Sequence, residues 1–179
     1  MDDVNQKSHH IRLIVGTVAS ILLGLVFLAS GSGKIIGFGE MPGQTMEFLY
    51  AVLPDILLTP SMAIFIGDIL LPYIVPWAEL CLGILIIIGI WPRPMAVLCL
   101  LLTAVFMVNN SWLMSQGVGE FPSCACFGIW EEIFGGLTPY QSFFFDIGLS
   151  SLALVIIFVY PGKFLSLPSW LTRLGRKGI

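Results

Sequence analysis

The stretch Leu71–Met114, "LPYIVPWAELCLGILIIIGIWPRPMAVLCLLLTAVFMVNNSWLM", decides the fold. It holds two long apolar runs separated only by Trp91-Pro92-Arg93-Pro94. Crossing the hydrocarbon of a bilayer takes about 20 largely apolar residues in a helix, and each run is that long. Lipid offers the backbone no hydrogen-bond partners, so such a run must satisfy its own peptide groups as a helix. The short join then forces the two helices into an antiparallel pair.

Working outward, two more runs qualify. The chain therefore carries four expected spans, at about 11–30, 71–91, 94–114 and 140–160. Composition agrees. Of the 179 residues 11% are charged, less than half of the roughly 25% usual in soluble domains, and the mean hydropathy is +0.95. The fold class expected is all-α: a polytopic membrane protein, a four-transmembrane-helix bundle, with residues 1–179 as a single membrane domain. The first run exceeds the roughly 7–15 apolar residues of a signal peptide and reads as a mature span. Residues 46–70 are apolar but interrupted by Pro54, Asp55, Pro60 and Asp68. They read as an extra interfacial or re-entrant segment and not as a fifth span. No basic stripe with interleaved aromatics is present, which argues against nucleic acid as a partner.

Lys and Arg placement sets the expected orientation, because cytoplasmic loops carry the excess of positive charge. Lys7, Arg12, Arg93, Lys163, Arg173, Arg176 and Lys177 fall on one side, and Lys34 alone on the other. Both termini are thus expected in the cytoplasm, with 31–70 and 115–139 facing outward. Trp91 and Trp170 on the inside, and Trp112 and Trp130 on the outside, fit interfacial belts.

Two carboxylates fall inside expected spans, Glu79 and Asp146. A charge at mid-bilayer costs roughly 2.5–3.5 kcal/mol on insertion scales and usually faces the bundle interior with a partner. Lys34 is expected just past the end of the first span, after "SGSG", and Asn109 and Asn110 near the matching end of the third. All four helices thus bring a polar group to about the same outer depth. Helical spacing groups them on faces: Ser142, Asp146 and Ser150 on the fourth span; Cys99, Thr103 and Asn110 on the third; Pro72, Pro76, Glu79 and Gly83 on the second. Cys81, two residues from Glu79, points elsewhere. Gly16, Ser20, Gly24 and Gly31 form a small-residue seam on the first span, suited to close helix packing. The polar cluster of Lys34, Glu79, Asn109, Asn110 and Asp146 has two readings. It is a structural network tying the helices together, or it lines a small site that holds a proton and offers donors to a substrate.

Between the third and fourth spans lies Pro122-Ser123-Cys124-Ala125-Cys126-Phe127-Gly128. A zinc site wants two Cys/His pairs at set spacing; the only histidines, His9 and His10, fall on the other side of the membrane, so no metal is expected. The outward side is where disulfides persist, and a C-x-C disulfide closes a very small ring, of the strained kind that exchanges readily. Cys124 and Cys126 are therefore candidate redox-active residues, with a passive loop staple as the alternative. Phe127 and Gly128, an apolar anchor and a permissive backbone, are expected to let the loop dip back toward the bundle mouth, where Lys34 would favour a thiolate. Cys81 and Cys99 read as buried free thiols.

These residues together resemble the MauE branch of the DoxX-like membrane proteins. The likeness spans nearly the whole chain. It rests most on Pro76-Trp77-x-Glu79-Leu80-x-x-Gly83 and on Cys124-x-Cys126-Phe127-Gly128, where Ala125 stands in a place often held by glycine in the family. The resemblance implies a part in methylamine metabolism, in maturation of the disulfide-rich small subunit of methylamine dehydrogenase. The expected partner is then an exported protein with thiols or disulfides, and the expected location the bacterial inner membrane. The DoxX relatives imply instead a membrane subunit of a quinone-linked oxidoreductase, with a quinone as cofactor. A transporter is disfavoured, since no inverted repeat is visible.

Overall fold

The computed structural model describes residues 2–37, 51, 59–117 and 127–160. Cys124 and Cys126 lie outside the described residues. So do 46–58 of the broken segment, except Ala51.

Among the described residues the chain forms helices and no strand. Helix α1 is Asp2–Ile36. Helix α2 is continuous from Pro60: an α-helical turn and more at Pro60–Ile64, a wide π-helical stretch at Phe65–Ile74, and α-helix again over Val75–Ile88. Helix α3 is Pro92–Ser115, α4 the short Trp130–Phe134, and α5 Pro139–Val159. Four stretches are long and apolar enough to span a membrane: His10–Ile36, Ser61–Ile88, Pro92–Ser115 and Pro139–Val159.

Two boundaries differ from the sequence expectation. Residues 60–70 continue the second span as one helix. Pro72 inside that helix supplies no backbone N–H, and the surrounding ladder takes the wider π pitch, with Val75 N–H reaching back to Leu70. The π-helical stretch buries no residue, so the packed part of the span begins near Val75. The first helix also runs further than expected. Gly31, Ser32, Gly33 and Lys34 are helical, so Lys34 sits in the last turn of α1 and not beyond it. Glycine costs a helix about 1 kcal/mol relative to alanine. Here Gly31 earns its place through contact: a Cβ on it would lie 2.7 Å from the Pro76 carbonyl oxygen and the Leu80 nitrogen.

The spans form a ring in chain order. α1 packs along the Val75–Ile88 part of α2 and against α5; α3 packs along α5 and touches α2. The α1–α2 seam is backbone on backbone. A Cβ on Gly83 would meet Gly24 O at 2.8 Å, and one on Gly24 would meet Gly83 O at 2.9 Å. Without a hydrophobic force between helices in lipid, this closeness supplies the van der Waals contact that holds them. The apolar core is Leu23, Phe27, Ile86, Ala96, Cys99, Ala153 and Ile156 with their neighbours.

Each connection has a local cause. Gly89, in the left-handed conformation, ends α2, and Trp91 follows with φ 47°. Pro92 then opens α3, where a missing N–H costs nothing. Arg93 Nη2 donates to the Tyr160 carbonyl at 2.7 Å, tying this corner to the end of α5. α5 starts in a capping box: Gln141 N–H donates to Thr138 Oγ1 at 3.3 Å and Thr138 N–H to Gln141 Oε1 at 3.1 Å.

Candidate functional site

The polar groups gather at one end of the bundle. Lys34 lies two residues from the end of α1, Asn110 five from the end of α3 and Asp146 seven from the start of α5. At 1.5 Å per residue, all are within about 10 Å of their helix ends.

Glu79 is the centre of the arrangement and is 1% exposed. Lys34 Nζ lies 2.7 Å from Oε1 and 3.0 Å from Oε2 of its carboxylate. Ser30 Oγ donates to Oε2 at 2.8 Å. Ser30 and Lys34 are one helical turn apart, so one face of α1 supplies both. The close helix approach at Gly31 brings that face onto Glu79. The Lys34 ammonium also sits 5.0 Å from the centroid of the Phe106 ring on α3, where the ring face attracts a cation. The ion pair thus joins α1, α2 and α3.

The second pair joins α3 and α5. Asn110 Nδ2 donates to Asp146 Oδ2 at 3.2 Å; both residues are buried. One level deeper, the Thr103 and Ser150 hydroxyls are 3.1 Å apart. Most of the inward faces read from helical spacing are observed: Pro76, Glu79 and Gly83 are buried, as are Cys99, Thr103 and Asn110, and Ser142 and Asp146, with Ser150 half-buried; Pro72, in the π-helical stretch, is only half-buried. Cys99 is buried as expected, but Cys81 is exposed, which corrects its reading as a buried thiol. Asn109 is half-buried beside the cluster. Its Oδ1, and Asn110 Oδ1, are buried without a hydrogen-bond partner among the described residues.

The segment just after the cysteine pair closes over the end of α1. Ile129 N–H donates to the Gly33 carbonyl at 3.2 Å, and the Trp130 indole N–H to Ser32 Oγ at 3.3 Å. A Cβ on Gly33 would collide with Phe127 O and the Trp130 ring. Phe127 N–H donates to Glu131 Oε1 at 2.9 Å, and its ring meets Phe145 of α5 edge to face at 5.7 Å. Residues 127–134 are therefore a strap seated on Ser32, Gly33 and Phe145, one turn or less from Lys34 and Asp146 in sequence.

The loop's return toward the bundle mouth on Phe127 and Gly128, read from the sequence, is observed, with Phe127 on Phe145 and Gly128 at φ 55°; sequence reasoning missed Ser30, Phe106 and the strap's seat on Gly33. Ser30 was in reach, standing four residues before Lys34. Phe106 was not, because a cation over a ring leaves no sequence signature. The strap's seat on Gly33 joins segments some 95 residues apart, and no local pattern announces it.

Comparison with known proteins gives one family. The model of the family described as methylamine utilisation protein MauE matches residues 12–159. The match takes in all four spans, the polar cluster, the strap and the Cys124-x-Cys126 pair. No curated protein and no solved structure matches.

Proposed function

The chain belongs to the methylamine utilisation protein MauE family, and from that premise we propose that it exchanges disulfides with an exported partner through Cys124 and Cys126. The setting proposed is the bacterial inner membrane, with both termini cytoplasmic, the cysteine loop outward, and 1–179 acting as one membrane domain. The partner suggested by the family is a protein of methylamine utilisation that matures with disulfides, such as the small subunit of methylamine dehydrogenase. In the exchange, a thiolate of the pair attacks a partner disulfide and forms a mixed disulfide. The second thiol of the pair displaces it. Two thiols are oxidised and one disulfide is reduced; the reverse sequence oxidises the partner.

The observation that carries this reading is the strap. Phe127, the residue directly after Cys126, is anchored by its N–H to Glu131 and by its ring to Phe145. Its neighbours are hydrogen-bonded to Gly33 and Ser32. The chain leaving the cysteine pair is therefore tethered next to Lys34, a cation of the kind that favours thiolate over thiol. Lys34, Glu79, Asn109, Asn110 and Asp146 are the supporting polar residues of this proposal. A quinone is the acceptor that the quinone-linked relatives suggest for the return of electrons.

Trapping tests it. With Cys126→Ala, Cys124 should hold the exported partner as a mixed disulfide that survives alkylation and separates under reductant. Full function of the Cys124→Ser/Cys126→Ser double variant, with no trapped species, would sink the exchange reading. A second reading has its own observation: the ion pair joins α1 to α2, the Asn110–Asp146 bond and the Thr103–Ser150 contact join α3 to α5, and Lys34 over the Phe106 ring connects the two pairs. On that reading the protein is a non-catalytic membrane subunit or scaffold. Glu79→Gln separates the two. A scaffold loses abundance, whereas an exchange protein stays folded and loses turnover.

A further inference from the structure

The polar end holds three ionisable side chains and two buried acceptors, Asn109 Oδ1 and Asn110 Oδ1, unmet among the described residues, and these do not balance. Lys34 and Glu79 neutralise each other at 2.7 Å. Asp146, 7% exposed, has no cation in contact among the described residues; its hydrogen-bond partner is the neutral Asn110 amide. Asn110, 1% exposed, has one amide atom without a partner among the described residues while the other bonds Asp146. An ionised carboxylate offers acceptors only, so it cannot serve the Asn110 oxygen. A carboxylic acid offers one acceptor and one donor, and an amide edge offers the same in reverse. The two groups then pair through two hydrogen bonds, and turning the amide over does not remove this need for a second partner.

We propose that Asp146 is a proton-holding site: a neutral carboxylic acid at neutral pH, accepting from Asn110 Nδ2 and donating its O–H to Asn110 Oδ1. One proton removes both an unpaired buried charge and an unpaired buried acceptor. At this end of the bundle α1 brings Lys34 and α2 brings Glu79, paired with each other; α3 presents the Asn110 amide to Asp146. Lys34 is already spent on Glu79, which is why the proton, and not a second ion pair, resolves the site. The inference makes no use of Cys124 or Cys126 and stands or falls apart from the exchange reading.

Infrared spectroscopy of the full-length protein in lipid tests it. At neutral pH the wild type should show one carbonyl-stretch band of a protonated carboxylic acid that shifts in D2O. Glu79→Gln and Asp68→Asn, which remove the other carboxyls of the spanning helices, should each leave that band in place. Asn110→Ala should move it to higher frequency as the donated hydrogen bond is lost. Asp146→Asn, an uncharged isostere, should abolish the band. Absence of any such band in the wild type overturns the proposal, and so does its loss in Glu79→Gln or Asp68→Asn. Because those two variants and the Asn110→Ala shift single out Asp146, the proposal is tested even where Asp146→Asn fails to accumulate.

Discussion

The two halves of the bundle are held by different forces. The half built on Leu23, Phe27, Ile86, Ala153 and Ile156 is apolar, and Gly24 meets Gly83 there with almost nothing between the backbones. The other half has Lys34–Glu79, Asn110–Asp146 and a strap of polar and aromatic contacts. In lipid the apolar half gains nothing from excluding water and depends on shape. The polar half needs every partner, because a charge stranded there has no solvent to turn to. Shape tolerates small losses, whereas paired charges do not. The half that is costly to build is also the half on which the strap from Phe127 is seated, and that cost argues for a use beyond cohesion.

Variants can break this contrast. The largest effect is expected from Glu79→Ala, which strands the Lys34 ammonium in a buried setting and should cost about 3–5 kcal/mol of stability. Replacing both partners, as Lys34→Met/Glu79→Met, should recover much of that loss by the same principle, and thermal unfolding in detergent would show it. Equal losses in the single and double variants would mean the pair is not the coupled unit described. In the apolar half, Ile86→Ala opens a cavity at a residue 1% exposed and should cost about 2–5 kcal/mol, at the low end where the helices can close the gap.

Shape alone is probed by Gly83→Val, whose side chain would press on the Gly24 carbonyl and Leu28. Overpacking of this kind costs roughly 1–3 kcal/mol, and a helix–helix crosslink between α1 and α2 should report their separation. An unchanged crosslink and unchanged stability would contradict the backbone-on-backbone seam. The smallest effect is expected from Thr103→Val, which removes the contact with Ser150; interhelical hydrogen bonds in membranes average about 0.6 kcal/mol. A Thr103 loss as large as that of Glu79→Ala would erase the distinction between the halves.

Much of this was legible in the sequence, for a physical reason. Against an apolar background each polar residue stands out, and a helix fixes which of them share a face. Glu79, Asn110 and Asp146 could therefore be read as inward-facing from spacing alone. Reading failed where local rules were overridden. "SGSGK" looks like a helix end, yet lipid and the contact at Gly31 keep it helical through Lys34. Pro72 and Asp68 look like breaks, yet a π-helical ladder absorbs Pro72 and carries the helix on from Pro60. Phe127 and Gly128 announced the strap's return to the bundle, but its seat escaped notice because Ser32 and Gly33 lie on a distant helix.

The central claim is that the Cys124/Cys126 pair works and is not a staple. Thiol alkylation with mass shift, on Cys124 and Cys126 in isolated membranes, tests it most directly. The account predicts a pair that moves reversibly between dithiol and disulfide as the membranes are poised from reducing to oxidising. Its potential should lie well above the roughly −300 mV below which structural disulfides sit. A pair that stays oxidised throughout, responding only to harsh reductant, would contradict it.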